Sequence, residues 1–169
     1  MNKVLILDTS ILCVWLRVNG KETCGPDNNR WDYGTVNDKI ATEVEDNTIL
    51  VLPLAAIIET GNHIAQCHGD KFALINSFIE LINNAVDETT PWAAFTHQSE
   101  LWSKNGLKDL ASRWKETAIG GQSLGDASIV DVANYYAETG YSVEIFTGDQ
   151  GLKAYEPIVK PMIPRRRVK

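Results

Sequence analysis

The 169-residue sequence predicts a single α/β domain in three layers, a central parallel sheet flanked by helices. Three observations carry that prediction. Short, continuous apolar runs occupy residues 3–8, 48–52 and 142–147, as expected of strands buried on both faces. Stretches with helical periodicity separate them, and strands alternating with helices build parallel sheets. The first run ends on Asp8 and the third on Gly148-Asp149, so two acids would stand at one edge of the sheet. In open sheets of this type, ligands meet the carboxyl ends of the strands.

Taken in order, Lys3-Val4-Leu5-Ile6-Leu7 is the first strand, and Cys24-Gly25-Pro26-Asp27-Asn28-Asn29 reads as a turn-rich loop. A helix over 35–45 precedes the second strand, which Pro53 closes. Helices over 54–66, 71–86 and 98–116 follow, with a flexible connector at Ile119-Gly120-Gly121-Gln122-Ser123. Along the next helix, 126–139, Ala127, Val130, Ala133 and Ala137 recur at steps of three or four and mark one buried face. Ser123, three residues before Asp126, is the expected N-cap of that helix. Beyond the third strand, Ile158-Val159 is expected as a short edge strand limited by Pro157 and Pro161. The domain would span 1–164, and Arg165-Arg166-Arg167-Val168-Lys169 forms a basic tail.

The net charge of −6 argues against a protein that holds nucleic acid through a broad basic surface. It leaves room for a site made of carboxylates, where bound divalent ions reverse the local sign. Cys13, Cys24 and Cys67 cannot all pair within the chain and show no C-x-x-C spacing, so reduced thiols in a cytoplasmic protein are expected. Asp8 interrupts the first apolar run too early for a signal peptide, and no stretch is long enough to span a bilayer.

Hydrolysis of a phosphodiester needs an activated water, a polarised phosphoryl group and a leaving oxygen relieved of charge, which two divalent ions can supply. Oxygen ligands suit magnesium and manganese. Asp8, Glu59, Asp126 and Asp149 are the acids that could converge at one rim for this purpose. The segments that carry them are Leu5-Ile6-Leu7-Asp8-Thr9-Ser10, Ile57-Ile58-Glu59, Gly125-Asp126-Ala127-Ser128-Ile129-Val130 and Phe146-Thr147-Gly148-Asp149. In order and spacing they resemble the four acidic positions of the PIN-domain family, over nearly the full chain.

That resemblance implies a Rossmann-like fold and a Mg2+- or Mn2+-dependent endoribonuclease. Asp8 and Asp149 would bind metal directly, with Glu59 and Asp126 completing the catalytic and metal site. Thr9, Ser10 and Thr147 would orient carboxylates or waters through their hydroxyls. Asn62, one helical turn past Glu59, and Lys153, just beyond Asp149, are candidate supporting or substrate contacts. Implied partners are an RNA substrate, an antitoxin or other regulatory protein, and a second copy in a homodimer; no membrane is expected. The biological role would be that of a toxin in a toxin-antitoxin pair or of a defence effector. The segment between Asp8 and Glu59 is long for the compact toxins, and Gln150-Gly151 stand where many relatives carry a further acid.

Plainer readings compete. Asp8, Asp126 and Asp149 are residues that ordinarily cap or start helices and turns. A catalytically silent PIN-like module that binds RNA or protein is the alternative function. A haloacid-dehalogenase-like phosphatase would need a second Asp where Ser10 stands, and no glycine-rich nucleotide loop follows a strand. Asp131 lies five residues after Asp126, about 140° around the helix, and is left out of the site. His63 and Cys67 stand four apart but lack a complete zinc set. Trp102 and Trp114 read as helix packing, and the basic tail as either a solvated end or a phosphate or partner contact.

Overall fold

The computed structural model describes residues 2–93 and 95–158. Strand β1 (Lys3–Leu7) leads into α1 (Thr9–Trp15), a small hairpin of β2 (Thr23–Cys24) and β3 (Trp31–Asp32), and α2 (Tyr33–Glu45). Strand β4 (Ile49–Val51) is followed by α3 (Leu54–Gln66) and α4 (Phe72–Val86). A 3-10 segment, Phe95–Trp102, precedes α5 (Lys104–Ala118) and α6 (Leu124–Glu138), and β5 (Ser142–Phe146) ends in the short α7 (Gln150–Lys153).

The three apolar runs form one parallel sheet in the order β4-β1-β5, with β1 at the centre. Side chains alternate across it. Leu5 and Leu7 point into a cluster with Ile11, Leu12, Val36, Ile40 and Leu81, while Val4 and Ile6 meet Ile129, Val132, Ala133 and Tyr136 of α6. Helices therefore cover both faces, and the four β1 side chains are fully buried. Burial of that completeness contributes about 1.5–3 kcal/mol for each large aliphatic side chain. It also holds the strand ends in place. Leu7 is in register with Phe146, and the Asp8 amide donates to Phe146 O at 3.1 Å, so residues 8 and 147 leave the sheet side by side.

The free edges are covered differently. On the β4 side, the Leu50 amide donates to Pro91 O at 2.9 Å and the Ala93 amide to Leu50 O at 2.8 Å, so the 91–93 segment runs along β4. On the β5 side the Ile145 amide donates to Glu156 Oε2 at 2.7 Å, and Ile145 O accepts from Lys153 Nζ at 3.0 Å. Two side chains there satisfy what a neighbouring strand would have satisfied.

Three sequence expectations are revised. The helix expected over 98–116 starts only at Lys104, where Ser103 caps it by accepting from the Gly106 amide at 3.1 Å. The residues before it are drawn into a 3-10 turn by Gln98, which is 3 % exposed. Its Nε2 donates to Leu52 O at 2.9 Å and its Oε1 accepts from the Leu54 amide at 3.3 Å, clamping the passage from β4 to α3. The loop around residues 24–29 is the turn of the β2–β3 hairpin. Ile158 is exposed and in no strand, while Val159 and the tail from Arg165 to Lys169 lie outside the described residues. Among the described residues no helix is long and apolar enough to cross a membrane.

Candidate active site

Asp8 ends β1 and caps α1, and it is almost fully buried. Its Oδ2 takes hydrogen bonds from Ser10 Oγ and Thr147 Oγ1, each at 2.7 Å, and from the Ser10 amide at 3.3 Å. Among the described residues Oδ1 accepts none. The two hydroxyls are themselves held from the turn after β5. The Gly148 amide donates to Ser10 Oγ at 2.9 Å and the Asp149 amide to Thr147 Oγ1 at 2.9 Å. Two hydrogen-bonded relays thus link the end of β5 to one oxygen of Asp8, which fixes the carboxylate rotamer.

Asp149 caps α7, with Oδ1 accepting from the amides of Gly151 at 2.7 Å and Leu152 at 3.3 Å. Glu59 sits in the second turn of α3, and its Oε2 accepts from Thr9 Oγ1 at 3.0 Å. Its other oxygen presses against the start of α6, where a methyl group on Gly125 would overlap Oε1. A side chain at 125 would therefore push the end of Glu59 out of its present position. Asp126 follows it, in the first turn of α6, and its amide donates to the capping Ser123 Oγ at 2.9 Å.

Asp8, Glu59, Asp126 and Asp149 line one pocket of about 300 Å3 with Thr9 and Ser10. Asp8 and Asp149 stand at the carboxyl end of the sheet, as the strand pattern predicts, and Glu59 and Asp126 join them there from α3 and α6. Burial pushes the Asp126 carboxyl up from its ordinary range; the Ser123 bonds oppose this, and the charges of Asp8 and Asp149 add to the rise. Those three carboxylates feel one another. A slightly larger groove of about 330 Å3 between Thr48, Trp92, His97, Tyr136 and Tyr141 is lined by no carboxylate among the described residues.

The supporting candidates divide. Thr9, Ser10 and Thr147 each donate to a site carboxylate. Asn62 is exposed and outside the pocket lining, because the α3 face that carries Glu59 turns His63, four residues on, into the pocket instead. Lys153 points away to the β5 edge, held by Ile145 O and by Glu156 Oε2 at 2.6 Å. Asp131 faces α5, paired with Arg113 at 2.5 Å, in agreement with its omission. Cys67 turns its thiol to Ile64 O at 3.2 Å, so it and His63 do not act as one clamp.

The structure adds residues that strand and helix patterns do not reveal. Lys21, Thr23 and Cys24 line the pocket from the β2–β3 hairpin and the loop before it. Gly25 adopts φ +88°, and a side chain at Gly148 would meet Cys24 Sγ at 2.8 Å and the Gly25 amide at 2.7 Å. Two glycines therefore let the hairpin lie against the turn that carries Asp149. The turn-forming Cys24-Gly25-Pro26 was the visible signal for a hairpin, but nothing local says what it packs on. Lys21 is the one lysine or arginine in this lining among the described residues.

The donor set is chemically suited to a hard divalent cation, with oxygens of Asp8, Glu59 and Asp149 left without hydrogen bonds among the described residues. As the side chains stand, no three His, Cys, Asp or Glu among the described residues are grouped tightly enough to hold an ion. No family model matches the chain, and no curated protein or solved structure does either.

Proposed function

We propose that this protein is a divalent-metal-dependent endoribonuclease of the PIN-like kind, hydrolysing RNA phosphodiester bonds at the pocket formed by Asp8, Glu59, Asp126 and Asp149. The observation that carries the proposal is the meeting of four carboxylates in one pocket at the sheet's carboxyl edge without a compensating ion pair among the described residues. Capping two helices with Asp8 and Asp149 and placing Asp126 in the first turn of a third would not require the three carboxylates to face one another. Packing alone would favour separating them, since uncompensated like charges repel.

Mg2+ or Mn2+ held by these four residues would supply a polarised phosphoryl oxygen and a water made acidic enough to attack. The chain's own residues do the rest. Ser10 and Thr147 hold Asp8 through one oxygen and leave the other as a donor. Thr9 does the same for Glu59, whose free oxygen is kept near Asp126 by the absence of a side chain at Gly125. Lys21 offers the positive charge that a phosphate would meet at the hairpin wall. The settings such an activity fits are a toxin restrained by an antitoxin and a defence effector.

The test is cleavage of a fluorescently labelled single-stranded RNA by the purified protein with Mn2+ or Mg2+, repeated with a chelator. Divalent-dependent cleavage with new internal ends is the expected result. RNA binding without cleavage at any metal concentration would favour the silent-module alternative.

A further inference from the structure

The ladder along the outer edge of β4 stops early, for a reason visible in the sequence. Its two rungs are the Leu50 amide to Pro91 O at 2.9 Å and the Ala93 amide to Leu50 O at 2.8 Å, the pattern of a parallel pair bridged at Leu50 and Trp92. One rung earlier, the same pattern would have the amide of residue 91 donate to Thr48 O. Residue 91 is proline and has no N–H. The Thr48 amide turns to Glu43 O at 2.8 Å, and Thr48 O accepts no hydrogen bond among the described residues. Thr48 is 3 % exposed, so bulk water does little to replace the missing donor. A ligand that supplies an N–H there recovers what the proline withholds.

The groove of about 330 Å3 begins where that ladder stops. Trp92 borders it from the segment that covers β4, Tyr141 from the turn before β5, and the buried Tyr136 of α6 from within. Tyr136 is fixed in place: it stands edge-on to Tyr141 with ring centroids 5.6 Å apart, and its hydroxyl lies 3.3 Å from His97 Nδ1. Aromatic walls of this kind take flat rings. No carboxylate, lysine or arginine lines the groove among the described residues, so the part of a ligand buried in it is uncharged. The volume falls at the lower end of the roughly 300–1,000 Å3 of small-molecule sites.

We infer that this groove binds a free nucleobase or nucleoside bearing an exocyclic amino group, of the adenine type. The amino group donates to Thr48 O while the ring lies against Trp92 and Tyr141. A plain hydrocarbon ring would leave the carbonyl unanswered. A strand of RNA would bring a phosphate with every base, and the lining has no cation to meet it. The groove is also remote from the carboxylates. It opens at the amino end of the sheet, and the five residues of β5 separate the two ends by about 16 Å. Binding there is independent of the nuclease reading of the rim.

Isothermal titration calorimetry on the unaltered chain, with a chelator present, tests this with adenosine and with purine riboside, which has hydrogen in place of the amino group. Adenosine should bind at one site, and purine riboside about 3- to 10-fold more weakly, the worth of one hydrogen bond. Trp92→Leu should weaken adenosine by about 5-fold or more through lost stacking, with an unchanged circular dichroism spectrum. Tyr141→Leu reads the opposite wall if the Trp92 variant does not fold, and the comparison of the two ribosides needs no variant at all. A short oligoadenylate should displace adenosine no better, base for base, than adenosine itself. Absence of saturable adenosine binding, or equal affinity for the two ribosides, would overturn the inference. So would adenosine binding untouched in a folded Trp92→Leu chain, or an oligomer that displaces adenosine more tightly than the nucleoside, which would make the groove a contact for RNA.

Discussion

Two clusters of carboxylates are built on the same sheet, and they differ in what surrounds them. Near the start of β1, Glu43 and Glu144 are interleaved with two lysines: Lys3 lies 2.5 Å from Glu43 and 2.7 Å from Glu144, and Lys39 is 3.1 Å from each. Thr48 Oγ1 adds a hydrogen bond to Glu43 at 2.7 Å. Burial alone would raise the Glu43 carboxyl, yet the bonds from Lys3, Thr48 and Lys39 outweigh it and hold the group at about 2. Glu144 is lowered by the same balance. At the other end of β1 the acids have hydroxyl and amide donors but no ion pair among the described residues, and Asp126 is raised. A cluster that serves only the fold neutralises its own charge; the rim leaves its charge for something else to neutralise.

The largest expected effect separates the two clusters by activity. Asp8→Asn should lower RNA cleavage by more than the roughly 100-fold that loss of an outer-sphere partner costs a metal site. Glu144→Gln should leave kcat within about twofold, since it touches no rim residue. Initial rates at saturating Mn2+ measure both, and an active Asp8→Asn enzyme would remove the rim from the mechanism.

A second change sharpens the comparison by separating activity from stability. Gly125→Ala puts a methyl where Glu59 Oε1 now sits, so the carboxylate must swing away. Cleavage should fall about 10- to 100-fold. The melting temperature should hold or rise, because alanine gains about 1 kcal/mol over glycine within a helix. A parallel fall in both would mean that the glycine serves packing alone.

The smallest effects are thermodynamic and opposite in sign. Glu43 is depressed in the folded chain, so its stabilisation is full above its ordinary value of 4.5 and is lost as pH falls from there towards about 2. Glu43→Gln should cost about 2 kcal/mol near neutral pH, a difference that shrinks below pH 4.5 in urea titrations. Asp126 is raised, so its ionised form opposes folding at neutral pH. Without metal, Asp126→Asn should melt higher, by on the order of 2 °C after solvent screening. Mn2+ should reverse that order by stabilising the wild type more.

Much of this arrangement was legible in the sequence. Runs such as Val4 to Leu7 are apolar at every position because both faces of a central strand are buried, and Leu54–Gln66 forms the helix its periodicity predicts. Ser123 caps α6 as the Ser-x-x-Asp spacing implies. Asp8 and Asp149 could be picked out because strand ends share an edge, a rule that needs no knowledge of loops. Glu59 and Asp126, which lie on helices, were singled out through the family resemblance. What escaped depends on contacts between distant segments. Lys21 and Cys24 reach the pocket only because Gly148 lets the hairpin close on it, and Lys153 is lost to the site because the β5 edge needs a donor. The delayed start of α5 has the same origin, since Gln98 answers to backbone groups 44 and 46 residues away.

That glutamine has a consequence for how motion in this domain could be watched. An amide in the first turn of a helix has no partner within the helix and ordinarily exchanges its hydrogen quickly with solvent. The Leu54 amide is an exception, because its partner is the Gln98 side chain, carried by the 3-10 segment. Its hydrogen exchange therefore clocks the undocking of residues 95–102 from the β4–α3 junction, separately from unfolding of the sheet. Gln98→Leu would stop that clock while the amides of β1 kept their slow exchange, making a single backbone proton the gauge of one segment's attachment.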